Sequence, residues 1–261
     1  MSGFLATATR LWNSRGVVQI LIARDLKARY RGTALGFLWS FLNPLIFMSV
    51  YLLVFSVYLR IQMENYAAFL LCGLLPWTWF ASALAESSRS IIDNRTLVTR
   101  SASPSEIFPL VSIGSNLLHF LLSLPVLLGL LIVFGVRPRW TLAFFPLVVV
   151  VQFLFTFGLA LICASLAVRF RDLLQIMPTA LNLWFFITPV FYPVTMVPPD
   201  LRPLLLLNPM AYVIDAYQSV LFYRRVPRPF EFTLVLVLAV ALLAAGAWIF
   251  NARRDRFADE L

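Results

Sequence analysis

The sequence predicts an all-α membrane protein. It would have six transmembrane helices, an amphipathic N-terminal helix at the membrane interface and a re-entrant helical hairpin before the last span. Of the 261 residues, 61% are hydrophobic and 13% are charged, which is too little polar surface to enclose a soluble core. The apolar residues form six long runs, and nearly all charged residues lie between them. This division is typical of a chain that crosses a membrane several times.

Residues 1–36 form a basic lead-in. Apolar residues recur at every fourth position from Val18 to Tyr30 and would lie along one side of a helix, with basic residues opposite. Such a pattern predicts a helix in the membrane interface. Clustered basic side chains there would also attract phosphate groups, although topology signalling explains the same charges. The candidate entry residues are Arg24, Lys27, Arg29 and Arg31.

The six-span transmembrane domain is predicted to cover residues 37–250. Its first run, residues 37–59, contains no charged residue, and 23 residues at about 1.5 Å per residue cross a hydrocarbon core of about 30 Å. The other spans are predicted at residues 66–85, 107–136, 140–168, 173–194 and 232–250. A polar segment, residues 87–106, separates the second and third spans, and residues 251–261 form a tail.

Residues 195–230 differ from the rest of the domain because six prolines divide them into short apolar pieces. These pieces are too short to cross a membrane singly. They are typical of a helical hairpin that enters and leaves on one side, with its backbone covered by protein or water. Arg202 and Asp215 are charged residues within this predicted hairpin.

Charge distribution indicates the orientation. Six crossings place both termini on one side, and 14 of the 21 Lys and Arg residues would lie on that side. The positive-inside rule then places both termini in the cytoplasm. Membrane topology and anionic membrane lipids account for the net charge of +9, so we expect no nucleic-acid partner.

Several kinds of chemistry have no motif here. The sequence lacks a P-loop, and its one lysine is Lys27, so the chain is not expected to hydrolyse ATP itself. His119 is the one ionisable residue inside a predicted span, and packing explains it better than a proton relay. Cys72 and Cys163 lie in apolar spans, and neither metal nor acyl-enzyme patterns appear.

These absences favour a transport subunit without enzymatic activity, driven by a separate protein. A membrane-embedded transferase is an alternative that needs a buried acid or base. His119, Asp215 and Glu86 are the candidates for that role. A non-catalytic membrane scaffold is a third possibility.

Four groups of short motifs carry a family resemblance. They are residues 24–39 (RDLKARYRGTALGFLW) with 43–45 (NPL); residues 73–80 (GLLPWTWF); residues 94–100 (NRTLVTR) with 104–110 (PSEIFPL); and residues 170–173 (FRDL) with Pro178, 191–193 (FYP) and 208–212 (NPMAY). Together they resemble the membrane subunit of type-2 ABC exporters of lipid-linked polysaccharides, the O-antigen, teichoic-acid and capsule permeases.

The resemblance implies a homodimer that binds two separate ABC nucleotide-binding subunits in the bacterial inner membrane. Those subunits would bind ATP and Mg, so no cofactor is expected in this chain. The substrate would be a lipid-linked polysaccharide; a drug or lipid exporter of the same class is the alternative. The basic lead-in would receive the pyrophosphate of the lipid carrier, and the outer hairpin would form an external gate with Arg202 and Asp215 as orienting charges. The segment between spans two and three would contact the ATPase. The candidate contact or orienting residues are Arg89, Asp93, Arg95, Arg100 and Glu106.

Aromatic residues of the first two spans suggest a sugar conduit. At helical spacing, those of the first span fall on one side, and the second span shows a similar side. Aromatic faces stack on sugar rings and would give a sliding polymer many weak contacts. Helix packing is the competing explanation for such a stripe. The candidates are Phe37, Phe41, Phe47, Tyr51, Phe55, Tyr58, Tyr66, Phe69, Trp77 and Phe80.

Overall fold

The computed structural model describes residues 9–33, 35–58, 60, 63–100, 104–137 and 139–260, apart from the side chains of residues 30, 37, 40, 100, 255, 258 and 259. The described residues are predominantly helical and contain no β-strand, which confirms an all-α membrane protein. The helices are α1 (Arg15–Tyr30), α2 (Trp39–Leu52), α3 (Tyr66–Asp93), α4 (Arg95–Arg100), α5 (Ile107–Val133), α6 (Phe145–Arg169), α7 (Leu173–Ile187), α8 (Arg202–Leu206), α9 (Pro209–Leu221), α10 (Pro229–Arg253) and α11 (Phe257–Glu260).

Five of the described helices are long and apolar enough to cross a membrane: α2 with its π-helical extension Leu53–Tyr58, α3, α5, α6 with the preceding turn Trp140–Phe144, and α10. The predicted fifth span, residues 173–194, is shorter than expected. Its helix α7 has 15 residues, about 22 Å, and stops at Ile187. Thr188 has extended backbone (ψ 135°) because it precedes Pro189, and that conformation ends the helix.

The predicted hairpin region contains a sharply bent helix pair. Pro199–Leu206 and α9 meet at 101°. Asn208 fixes the bend: its Oδ1 accepts from the backbone N–H of Met210 (3.1 Å) and from Trp184 Nε1 (2.8 Å), and its Nδ2 donates to Thr188 Oγ1 (2.9 Å). The bend is therefore tied to the end of α7.

Helix α3 forms the centre of the bundle. In its most apolar 18-residue window 83% of residues are buried, and it packs against α5, α6, α7, α9 and α2. The corresponding window of α2 is only 6% buried. The core therefore surrounds α3 and leaves α2 at the periphery of the single chain.

Helices α6 and α10 approach each other closely where they cross. A Cβ at Gly158 would lie 2.6 Å from the backbone of Leu242 and Leu243, and one at Gly246 would meet the backbone of Gly158. Small residues permit such an approach between membrane helices, where van der Waals packing drives association.

The predicted apolar side of the lead-in faces protein. Val18 is buried against Ile107 and Phe108 at the start of α5. Ile22 lies over Gly114, where an added Cβ would be 2.6 Å from Ile22 Cδ1. Helix α1 thus packs on α5, and its place relative to the membrane interface stays a prediction.

Candidate functional site

Glu106 lies at the centre of a polar cluster where distant parts of the chain meet. Arg10 Nη2 donates to Glu106 Oε1 and to Asn251 Oδ1, and Arg254 Nη1 lies 3.9 Å from the same Glu106 oxygen. Glu106 is only 1% exposed. Because the chain's own arginines cover the carboxylate, Glu106 is placed to orient its neighbours, and a role at the contact with an ATPase subunit stays a prediction.

The other predicted ATPase contacts lie nearby on a polar surface. Arg89 and Asp93 are exposed at the end of α3 and approach to 4.0 Å at i,i+4 spacing. Arg95 is exposed on α4, which packs against α11 near the end of the chain. The side chain of Arg100, also predicted here, lies outside the described residues. We call the exposed part, Arg89, Asp93 and Arg95, the coupling surface.

Among the four predicted entry residues, the structure separates Arg29 from the rest. Arg24, Lys27 and Arg31 are exposed. Arg29 turns toward α3 and α5, where its Nη2 donates to both Glu86 oxygens (2.8 and 3.0 Å) and its Nη1 donates to Asn116 Oδ1 (3.2 Å). Arg29 therefore joins α1 to α3 and α5.

The predicted conduit residues divide by helix. Tyr66, Phe69, Trp77 and Phe80 of α3 are all buried. They pack inside the chain, which corrects the expectation that they line an open path. The spacing rule identified an aromatic side but did not reveal that α3 is covered all round.

The aromatic residues of α2 and of its π-helical extension are more accessible. Phe47 and Tyr58 are 55% and 69% exposed. Phe41, Tyr51 and Phe55 are partly buried, whereas the side chain of Phe37 lies outside the described residues.

Tyr51 and Phe55 contact aromatic rings near the end of α7. These partner rings were not among the conduit residues predicted from the sequence. The Phe191 ring centroid lies 6.1 Å from that of Tyr51 and 4.8 Å from that of Phe55. Phe185 is 5.9 Å from Tyr51. We call Tyr51, Phe55, Phe185 and Phe191 the aromatic cluster. The high frequency of aromatic residues in residues 184–192 could have identified this region from the sequence.

The two predicted gate charges lie in different interactions. Arg202 Nε donates to the Val197 carbonyl (3.0 Å), so it closes a local turn. Asp215 faces Arg225 at 3.5 Å, a partner that the sequence did not identify. Arg225 also donates to Ser219 Oγ at 3.1 Å. Asp215 therefore joins α9 to the loop that follows it.

The region between α7 and α10 is also held by side chains that donate to its backbone carbonyls. Thr141 Oγ1 donates to the Val220 carbonyl (3.2 Å), and Tyr66 Oη donates to the Phe191 carbonyl (2.6 Å). Burial raises the pKa of Tyr192, whose neutral hydroxyl lies within donating distance of the Ile187 carbonyl (3.2 Å). These contacts lie at the start of α3 and α6, opposite the Glu106 cluster.

Metal ligation finds no support in the described part of the chain, where no group of three His, Cys, Asp or Glu side chains is placed to hold an ion. Both cysteines in that part are free thiols. Taken together, the described residues form an apolar helical bundle with a polar cluster at each end and aromatic rings along one side.

Comparisons with known proteins agree with this arrangement. The family model described as "ABC-2 type transporter" matches residues 16–222. The chain is 41% identical over 253 residues to the O-antigen export system permease protein RfbA of Myxococcus xanthus, covering 96% of this chain and 97% of that protein. A protein of the same name from Klebsiella pneumoniae is 34% identical over 243 residues, 93% of each chain.

A more distant match is the polysialic acid transport protein KpsM of Escherichia coli, which is 22% identical over 245 residues, 91% of this chain and 93% of that protein. The family model covers well over half of the chain, and the bundle has the apolar spans that a multi-pass membrane transport component requires. The chain therefore belongs to the ABC-2 type transporter family.

Proposed function

We propose that this chain is the membrane-spanning subunit of an ATP-driven exporter that moves a lipid-linked polysaccharide across the bacterial inner membrane. The observation that carries this proposal is the 41% identity, over nearly the full length of both proteins, to a relative named as an O-antigen export permease. The relative named for polysialic acid transport supports a polysaccharide cargo further.

Energy would come from two separate nucleotide-binding subunits attached to a homodimer of this chain. The sequence has no P-loop, which supports assigning ATP and Mg binding to those partners. The coupling surface is the proposed contact, with both termini in the cytoplasm. Its position beside the Glu106 cluster supports this, because residues from the N-terminal and C-terminal parts of the chain meet there.

The glycan would pass along the aromatic cluster, and the bent pair of Pro199–Leu206 and α9 would form a re-entrant outer gate. The contact between Thr141 and Val220 supports this location, since it places the end of α9 beside the start of α6. Tyr51 and Phe55 are the partly exposed rings of the cluster, and they support a sliding path because each offers a weak, nearly equivalent surface to successive sugars; Phe185 and Phe191 are buried and would support those two rings from behind.

Reconstitution tests the function directly. The chain is assembled with its cognate ATPase subunits in proteoliposomes that contain a lipid-linked glycan on the ATP-accessible side. We expect ATP-dependent appearance of the glycan on the opposite side, and none with the chain alone. ATP turnover by the isolated chain, or transport of drugs and free lipids without glycan, would contradict the proposal.

A further inference from the structure

The chain folds back on the bundle after its last span. Helix α10 ends at Arg253, a short turn (Arg254–Arg256) follows, and α11 then packs against α6 and α4. Phe257 of α11 is only 1% exposed, and its ring lies edge-on to that of Phe250, with the two centroids 5.1 Å apart. A side chain buried this deeply anchors the segment that carries it. We call residues 254–260 the tail segment.

Polar contacts hold the same end of α10. Asn251 Oδ1 accepts a hydrogen bond from Arg10, which also donates to Glu106, and Arg254 Nη1 lies 3.9 Å from the Glu106 carboxylate. An apolar anchor and the Glu106 cluster therefore fix the tail segment together, and it has a defined position on the bundle.

The tail segment is a neighbour of α4, the short helix between α3 and α5. Helix α4 has only six residues, and an isolated helix of that length is unstable in water, so tertiary contacts must fix its position. One contact comes from Val98, which packs against the cluster of Val18, Ile107 and Phe108. A further contact comes from α11. Helix α4 is thus held by the start of α5 and by the tail segment.

Both elements leave charged side chains exposed at this end of the bundle. Arg95 is exposed on α4, and Arg256 and Glu260 are exposed on the tail segment. With Arg89 and Asp93 of the coupling surface, they form a surface of mixed charge. Mixed charge suits a complementary protein surface better than an anionic membrane, which favours basic residues alone. Through α4, the tail segment is continuous with the coupling surface.

We propose that the tail segment is a second part of the docking surface for the ATPase subunit, with Phe257 as a positioning residue that keeps α4 in place for that contact. This inference rests on the proposed function, because it takes the ATPase subunit as the partner. The exposed Arg256 lies at the rim of the contact. The buried Phe257 acts from behind, through the packing of α11 on α4.

Binding of the cognate ATPase subunit to the purified full chain in lipid nanodiscs tests the inference. Phe257→Ala removes the anchor, whereas Phe257→Leu keeps most of its apolar bulk. Phe145→Ala is the matched control, because Phe145 also packs against aromatic rings but lies at the start of α6, at the opposite end of the bundle. Arg256→Glu tests the rim of the contact, and Arg224→Glu, at an exposed position after α9, is its control.

We expect Phe257→Ala to weaken binding about tenfold, since α4 and the tail segment must then be ordered on binding. Phe257→Leu should recover most of the lost affinity, because apolar bulk is kept. Arg256→Glu should slow association about threefold at low salt and less at high salt, as expected of a charge at the rim of an interface. Both controls should bind as the unaltered chain does. Thermal unfolding of each variant separates a lost contact from a lost fold.

Unchanged binding in both Phe257→Ala and Arg256→Glu would overturn this inference and leave the proposed function intact. Equal loss of affinity in Phe257→Ala and Phe145→Ala would also overturn it, because any buried ring would then have the same effect. If Phe257→Ala does not fold, Arg256→Glu decides. An unaltered chain that binds no ATPase subunit would contradict the proposed function itself, and the inference with it.

Discussion

Glu106 shows how one side chain organises the end of the bundle that lies opposite the start of α3 and α6. Its buried carboxylate holds Arg10 and lies near Arg254, so residues far apart in sequence meet at one charge. A buried charge is tolerated only when it is paired and hydrogen-bonded, and removing one partner leaves the others uncompensated. Burial, and not charge alone, therefore distinguishes Glu106 from the exposed residues around it.

The variant Glu106→Gln should destabilise the chain by about 1–3 kcal/mol, because a hydrogen bond between charged groups is lost in a buried site. Unfolding of the purified chain in detergent measures this effect. The matched control is Glu231→Gln, whose partner Arg228 is largely exposed at i,i+3 spacing. That change should stay within about 0.5 kcal/mol. Equal stability of the two variants would contradict a stabilising role for the buried Glu106 carboxylate.

Tyr51 and Phe55 give a second prediction at this scale. Replacing both with leucine should preserve assembly and ATP hydrolysis but slow the export of long glycans, since the stacking surface is lost and apolar bulk is kept. The length distribution of exported chains measures this effect. Phe153→Leu, which removes an aromatic ring that contacts Phe157 in α6, is the control. Loss of assembly in the double variant would show that these rings serve packing.

Sequence spacing identified which residues of α2 share a side but not which helix sides are open. The same periodicity occurs in α3, where Phe69 and Phe80 are fully buried. Whether an aromatic side meets solvent, lipid or a neighbouring helix depends on tertiary packing. Arg29 illustrates the same limit, because its pairing with Glu86 depends on how α1 packs against α3 and α5.

At the scale of elements, the crossing of α6 and α10 depends on two glycines. A side chain at Gly246 would meet the backbone of Gly158, and backbone cannot move aside as a flexible side chain can. Helix pairs in membranes rely on such close approach because no hydrophobic force distinguishes a helix from lipid.

The variant Gly246→Val should separate α6 from α10 and strongly reduce the amount of folded chain. Gly129→Val in α5 is the control, because no atom lies within 4 Å of a Cβ at that position. Fluorescence-detected size-exclusion profiles of both variants measure the outcome. Similar monodisperse peaks would indicate that the two helices adjust without cost.

Five of the six apolar runs correspond to helices long enough to cross a membrane, whereas the run at residues 173–194 contains only the shorter α7, and the ends of the helices were predicted less well. Helix α3 continues past Glu86, the first charged residue after the apolar run, as far as Asp93. Ser87 and Ser88 are buried there, and Glu86 is bound by Arg29. The partners that make these polar residues compatible with a packed helix come from α1 and α5, which no local pattern reveals.

For the whole molecule, the two polar ends lead to a prediction about energy coupling. Reversing charge at Arg95 and Arg100 (Arg95→Glu with Arg100→Glu) should leave ATP hydrolysis by the assembled transporter but abolish most export. Arg137→Glu with Arg139→Glu is the control, since both residues lie between α5 and α6 at the opposite end and are exposed. Parallel assays of phosphate release and exported glycan give the amount of glycan exported per ATP hydrolysed. This ratio is compared between the two double variants.

An unchanged ratio in the Arg95 and Arg100 variant would contradict a coupling role for this surface. A reduced ratio in the control pair would show that charge reversal disturbs the transporter wherever it is made. Subunit pull-down from membranes then distinguishes lost attachment from lost transmission.

The peripheral position of α2 has a mechanical consequence. Its window is 6% buried, Pro44 removes one backbone hydrogen bond, and its last turns are π-helical. Most of the packing of α2 therefore has to come from outside the single chain, from lipid or from a second copy. In the proposed exporter, the width of a conduit beside α2 would depend on what packs against its exposed side.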